Sequence, residues 1–114
     1  MWVTNFKDFK VTKTEIKKLI SGSKQQMGGA NCGGLCKGFK GVELNISANK
    51  EKDFGKYHYY YSASIEKREI DCDCNGFWTT LWEADFKEFK FGDETELANA
   101  VNKAIAENKE KIDD

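Results

Sequence analysis

The sequence predicts an α+β domain in which an antiparallel sheet of three to five strands, a meander with a hairpin at Asn75-Gly76, is packed by an N-terminal and a C-terminal helix. Three observations carry this. Segments with helix-start grammar and apolar residues at helical spacing lie near both ends of the chain. Between them, polar and apolar residues alternate with period two. Asn75-Gly76 suits the positive φ angles of a type I′ hairpin turn. A chain of 114 residues fits a single domain, 1–114, and at that size folding buries roughly two-thirds of the unfolded chain's surface.

The first helix is announced by Thr12-Lys13-Thr14-Glu15, a Thr-x-x-Glu capping box, followed by Ile16, Leu19 and Ile20; Gly22 is expected to end it. Residues 22–41 hold seven of the ten glycines and two of the four cysteines, show no regular periodicity, and read as a long Gly/Cys-rich loop. Val42, Leu44, Ile46 and Ala48 alternate with polar residues as a half-buried strand requires, and Tyr57, Tyr59, Tyr61, Ala63 and Ile65 repeat the pattern. A third strand, 77–86, follows Asn75-Gly76. The last helix is expected from about 94 to about 111, with Asp93 as N-cap, Glu96 at N3, and Leu97, Val101, Ala104, Ile105 and Ile112 on one stripe.

A two-residue turn at Asn75-Gly76 dictates a register. It sets Cys74 against Phe77, Cys72 against Thr79, Ile70 against Leu81 and Arg68 against Glu83. On the other face it pairs Asp73 with Trp78, Asp71 with Thr80, Glu69 with Trp82 and Ile65 with Phe86. The apolar side of the second strand then switches parity, so a bulge or strong twist is expected within 66–69. Nearly the same heptapeptide precedes each helix, Asn5-Phe6-Lys7-Asp8-Phe9-Lys10-Val11 and Asp85-Phe86-Lys87-Glu88-Phe89-Lys90-Phe91. One such pair is too little for a repeat architecture.

Composition narrows the functional classes. The chain is 39% apolar and 13% aromatic, too rich in core residues for disorder, and no apolar run is long enough to span a bilayer. The N-terminus has no basic segment leading into an apolar stretch, which predicts a cytoplasmic protein. Net charge is −1, and Arg68 is the only arginine among 18 basic residues, so neither a global field nor bidentate phosphate recognition favours nucleic acid.

The cysteines form two close pairs, Cys32 with Cys36 and Cys72 with Cys74. Three readings stay open: reduced thiols packed as small apolar side chains, a four-thiolate zinc site, or disulfides joining loop to hairpin. A nucleophilic Cys32 beside the Gly33 and Gly34 N–H groups would make a thiol enzyme, but the one histidine, His58, lies in a strand and supplies a base poorly. The glycine-rich stretch lacks the Gly-Lys-Ser/Thr ending of a P-loop. Tyr57, Tyr59, Tyr60 and Tyr61 near Lys56 and Lys67 suggest a stacking platform, yet alternation turns three of these tyrosines toward the core. Glu69, Asp71 and Asp73 beside Trp78 and Trp82 have the carboxylate pairing of sugar hydrolysis but show no pocket.

By exclusion the sequence points to a non-enzymatic interaction protein that binds and modulates or inhibits one protein partner. Accessory inhibitors of phages and other mobile elements are often built this way. The expected contacts are Trp78, Trp82, Asp71 and Asp73, with Tyr60 peripheral; no cofactor is expected, and self-association stays open. The first rival is a zinc-stabilised domain held by Cys32, Cys36, Cys72 and Cys74 within a protein or nucleic-acid complex. The second is a cysteine-dependent enzyme.

Overall fold

The computed structural model describes residues 2–25, 31–70 and 76–113. After a 3-10 turn at Phe6–Asp8, the elements run α1 (Lys13–Gln25), β1 (Asn31–Phe39), β2 (Val42–Asp53), β3 (Lys56–Ile70), β4 (Gly76–Glu83), β5 (Phe89–Lys90), α2 (Glu94–Glu107) and α3 (Lys109–Ile112). The strands form one antiparallel meander, β1-β2-β3-β4, with β5 paired to β3. The fold is therefore α+β, with helices near both ends of the chain.

The capping box forms as its sequence requires. The Glu15 N–H donates to Thr12 Oγ1 at 3.2 Å and the Thr12 N–H donates to Glu15 Oε1 at 3.1 Å. Gly22 does not stop α1, which continues to Gln25; glycine weakens a helix interior without forbidding it. At the other end Asp93 stands at the N-cap position but makes no side-chain cap bond. It accepts the Lys90 N–H instead, at 2.9 Å. The final helix also breaks at Asn108, whose side chain donates to the Ala104 carbonyl at 2.8 Å and separates α2 from α3.

The expected long loop at 22–41 is replaced by the end of α1 and the nine-residue strand β1; only 26–30 lie outside the described residues. The strand was hard to read because a lysine fills a core position. Leu35, Lys37 and Phe39 oppose Ile46, Leu44 and Val42 of β2, so Lys37 occupies the slot between two apolar neighbours. Its side chain is 8% exposed, and its ammonium lies 2.6 Å from Glu15 and 2.7 Å from the Lys10 carbonyl. Gly38 faces the other way, and the Trp2 ring lies against it so closely that a Cβ there would collide. A parallel bridge between Trp2 and Gly38, with the Val3 N–H donating to the Gly38 carbonyl at 2.8 Å, lines the outer side of β1.

Two-residue turns do occur, at Lys40-Gly41 and Phe54-Gly55, where both central residues have positive φ as type I′ demands. The β3–β4 connection is longer. Ile70 pairs directly with Gly76, so Asn75 and the rest of 71–75 fall between the strand ends, outside the described residues. Opposite the remaining ladder lie Arg68 with Trp78, Glu69 with Phe77, Lys67 with Thr79, Glu66 with Thr80, Ile65 with Trp82 and Ser64 with Glu83. Every pairing derived from the two-residue turn among these residues is thereby replaced.

One face of the sheet carries the core. Val42, Leu44, Ile46 and Ala48 of β2 and Tyr61, Ala63 and Ile65 of β3 are buried with Ile16 and Leu19 of α1, Leu97, Val101 and Ile105 of α2, and Ile112 of α3. Asn102 ties the chain's start to α2 by accepting the Val11 N–H at 2.9 Å and donating to the Val11 carbonyl at 2.8 Å. The opposite face presents Glu43, Asn45, Ser47, Ser62, Ser64 and Glu66, the polar half of the alternation.

The duplicated heptapeptide adopts related backbone at both sites. The Asp8 N–H donates to Asn5 and the Glu88 N–H to Asp85, each at 3.0 Å, and the second phenylalanine, Phe9 or Phe89, is buried.

Candidate functional site

The parity change expected in β3 belongs to β4. β3 pairs with β2 without interruption from Lys56 to Lys67, so its side chains keep one alternation throughout. Against β4 the register shifts between Ile65 and Glu66, and Leu81 is the extra residue of a β-bulge. The consequence separates the two tryptophans proposed to act together. Trp82, opposite the fully buried Ile65, packs half-buried against the core. Trp78, opposite the exposed Arg68, stands 47% exposed on the polar face. Asp71 and Asp73, expected beside them, lie outside the described residues.

β4 is a terminal strand of the sheet, and its outer side has no strand neighbour among the described residues. Which backbone groups face outward follows from the ladder. The Arg68 N–H donates toward β2, to the Gly41 carbonyl at 2.9 Å, so the Arg68–Trp78 pair exchanges no bonds and the Trp78 N–H and C=O point away from β3. Phe77, next along the strand and on the helix side, is 49% exposed. Neither lysine nor proline occurs between Gly76 and Glu83, the residues that usually blunt an open edge.

A second feature lies where β3 runs past β4 and β5 toward the Phe54-Gly55 turn. The tyrosine row expected to face the core is graded: Tyr61 is buried, Tyr59 half-buried, and Tyr57 54% exposed. Phe91 stacks on both Tyr59 and Tyr61 with centroids 4.9 Å apart, extending the core aromatics outward. Beside this row opens a cleft of about 500 Å³, lined by Tyr57, Tyr59, Tyr60 and Phe91 together with His58, Lys87 and Lys90. Tyr60, the peripheral contact of the sequence reading, sits here and meets Phe86 edge-on at 5.6 Å, away from Trp78. His58 is exposed on the ribbon, opposite Glu51.

Two acids, the half-buried Glu15 and the buried Glu94, have structural work. Burial pushes the Glu15 carboxyl up, but its hydrogen bond to Lys37, the Lys37 charge and the bonds from Thr12 outweigh burial and hold it below the ordinary value. Glu94 accepts the Gly92 N–H. Burial first, and then Glu94, push the Tyr61 phenol well above its ordinary pKa, and the Tyr61 hydroxyl has no well-formed hydrogen bond.

Of the four cysteines, Cys36 is exposed on β1, opposite Asn45. Cys72 and Cys74 lie outside the described residues, as does the Cys32 side chain. Through Asn45 Cys36 is level with Ser64. Six strand residues separate Ser64 from Ile70, a rise of about 20 Å. No group of three or more metal-ligating side chains occurs among the described residues, and no described helix is long and apolar enough to cross a membrane. Compared with family models, curated proteins and solved structures, the chain matches none.

Proposed function

We propose that this chain is a non-enzymatic interaction domain that binds and modulates or inhibits one protein partner, offering it the outer edge of β4. The observation that supports this is the edge itself: outward backbone groups at Trp78, flanked by two half-exposed aromatic side chains and no blunting charge until Glu83. An extended partner segment would gain main-chain hydrogen bonds from the edge and apolar contact from the side chains, the two ingredients of strand addition. Aromatic residues of this kind commonly carry most of an interface's energy. An inhibitor or modulator needs no chemistry beyond such occupancy.

Lysine at Phe77 and Trp78 supplies the test, because it places charge on the edge without touching the buried core. Tagged wild-type chain should capture a defined partner from the native lysate. The Phe77→Lys, Trp78→Lys double variant, with an unchanged far-ultraviolet spectrum, should lose it. Retained capture would put the interface elsewhere.

A further inference from the structure

We infer that the segment seated on the β4 edge, in the resting chain, is a second copy of this chain, paired antiparallel about a two-fold axis that passes between the two Trp78 residues. The inference rests on the reading of β4 as an edge open to strand addition, and it names what occupies that edge. The ladder with β3 fixes which groups point outward. Lys67 with Thr79 and Glu69 with Phe77 are the bonded pairs, whereas Arg68 with Trp78, Glu66 with Thr80 and Ile70 with Gly76 are not. Gly76, Trp78 and Thr80 therefore turn their N–H and C=O groups away from β3, and all three residues are exposed.

A two-fold copy satisfies all three at once. With Trp78 facing Trp78 across the axis, Gly76 of each copy faces Thr80 of the other, and these pairs exchange about six backbone hydrogen bonds. Directly opposite side chains share a face, so the two indole rings lie side by side on the polar face. On the helix side each Phe77 meets Thr79 of the other copy. Aromatic with aromatic and aromatic with β-branched are both favourable cross-strand pairs. No residue from Gly76 to Trp82 is charged, so no like charges meet across the axis, the usual penalty when identical edges pair. The bulge at Leu81 ends the pairing after Thr80. Because both copies use the same edge, the contact is isologous and closes at two. The exposed halves of Phe77 and Trp78 amount to about 200 Å² per chain. With five paired residues per copy the interface stays below the roughly 1,000 Å² of a stable one, so the dimer dissociates in the micromolar range and yields the edge to a tighter-binding partner segment.

Sedimentation velocity of the full chain under reducing conditions, from about 1 μM to about 1 mM, tests this. The mass should rise from one chain to two and no further. In the wild-type chain the Trp78 and Thr80 amides should exchange with deuterium more slowly as the dimer fraction rises, and those of Phe77 and Thr79, already bonded to β3, should change less. Trp78→Lys, which sets like charges on the axis, should weaken dimerisation about tenfold or more. Phe54→Ser, at the exposed tip of the β2–β3 ribbon, should leave it unchanged. The inference is overturned by a chain monomeric across the range, by growth beyond two, by exchange at Trp78 and Thr80 that ignores concentration, by a dimer indifferent to Trp78→Lys, or by one that Phe54→Ser dissolves. A monomeric chain whose partner capture is lost in the Phe77→Lys, Trp78→Lys double variant would sink the dimer and leave the β4 proposal standing. A dimer dissolved by Trp78→Lys, with capture retained in the double variant, would do the reverse.

Discussion

At the scale of single residues, the Lys37–Glu15 contact is the one most exposed to experiment. Lys37 sits in a core slot of β1 and its charge is balanced by a carboxylate that also caps α1. Because the Glu15 carboxyl is held below its ordinary value of 4.5 in the folded chain, its contribution to stability is fully present above that value. The contribution disappears as pH falls through the lowered folded value. Glu15→Gln should therefore flatten the acid limb of a stability-versus-pH curve measured by urea unfolding. At neutral pH it should also cost about 2 kcal/mol, since the buried ammonium keeps only the Lys10 carbonyl as a strong acceptor. An unchanged acid limb would mean the pair contributes nothing. The capping box was legible because both partners lie within four residues. Lys37 was not, because a charged residue in a core slot breaks the pattern by which a strand is recognised.

At the scale of elements, the bulge at Leu81 decides which aromatic residues are structural and which face outward. Had the turn been two residues long, Trp78 and Trp82 would share a face and respond alike to truncation. In the observed register Trp82→Ala should cost about 2 kcal/mol in urea unfolding, and Trp78→Ala less than about 0.5 kcal/mol. Equal losses would restore the two-residue turn. The sequence carried the period of these strands faithfully, and the buried residues of β2 and β3 are those the alternation selects. It could not carry the register. An Asn-Gly dipeptide favours a tight turn locally, whereas the pairing of Ile70 with Gly76 reflects what the whole sheet buries, including Trp82 against Ile65. The two turns that are tight use Lys-Gly and Phe-Gly, in which only the glycine gives a local hint. Among the described contact residues chosen from sequence, Trp78 alone combines exposure with a position on the open edge. The cleft joins β3 to the 85–91 segment, a proximity that no local pattern encodes.

Over the whole molecule, the sheet is covered on one side and polar on the other, and β2 and β3 continue as a two-stranded ribbon that helps to stretch the domain to 50 × 30 × 22 Å. The zinc-stabilised alternative is a claim at this scale, since it asks four thiolates from three segments to meet. Cys36 and Ile70, the last described residue before Cys72, differ by about 20 Å along the strands, a span that a single four-thiolate site would have to close. Elemental analysis of chain purified without added metal should find well under one zinc per molecule. A ratio near one would revive that alternative and require a different path for β1.

The Trp2–Gly38 contact has a further bearing on assembly. It fills the outer side of β1 at Gly38, whereas the outer side of β4 has no strand neighbour among the described residues. A sheet able to grow from both edges can polymerise without limit, but one that grows from a single edge is exhausted by one added strand. The contact at Gly38 thereby obstructs strand addition at the end of β1 nearest Phe39, and β4 carries no such obstruction among the described residues.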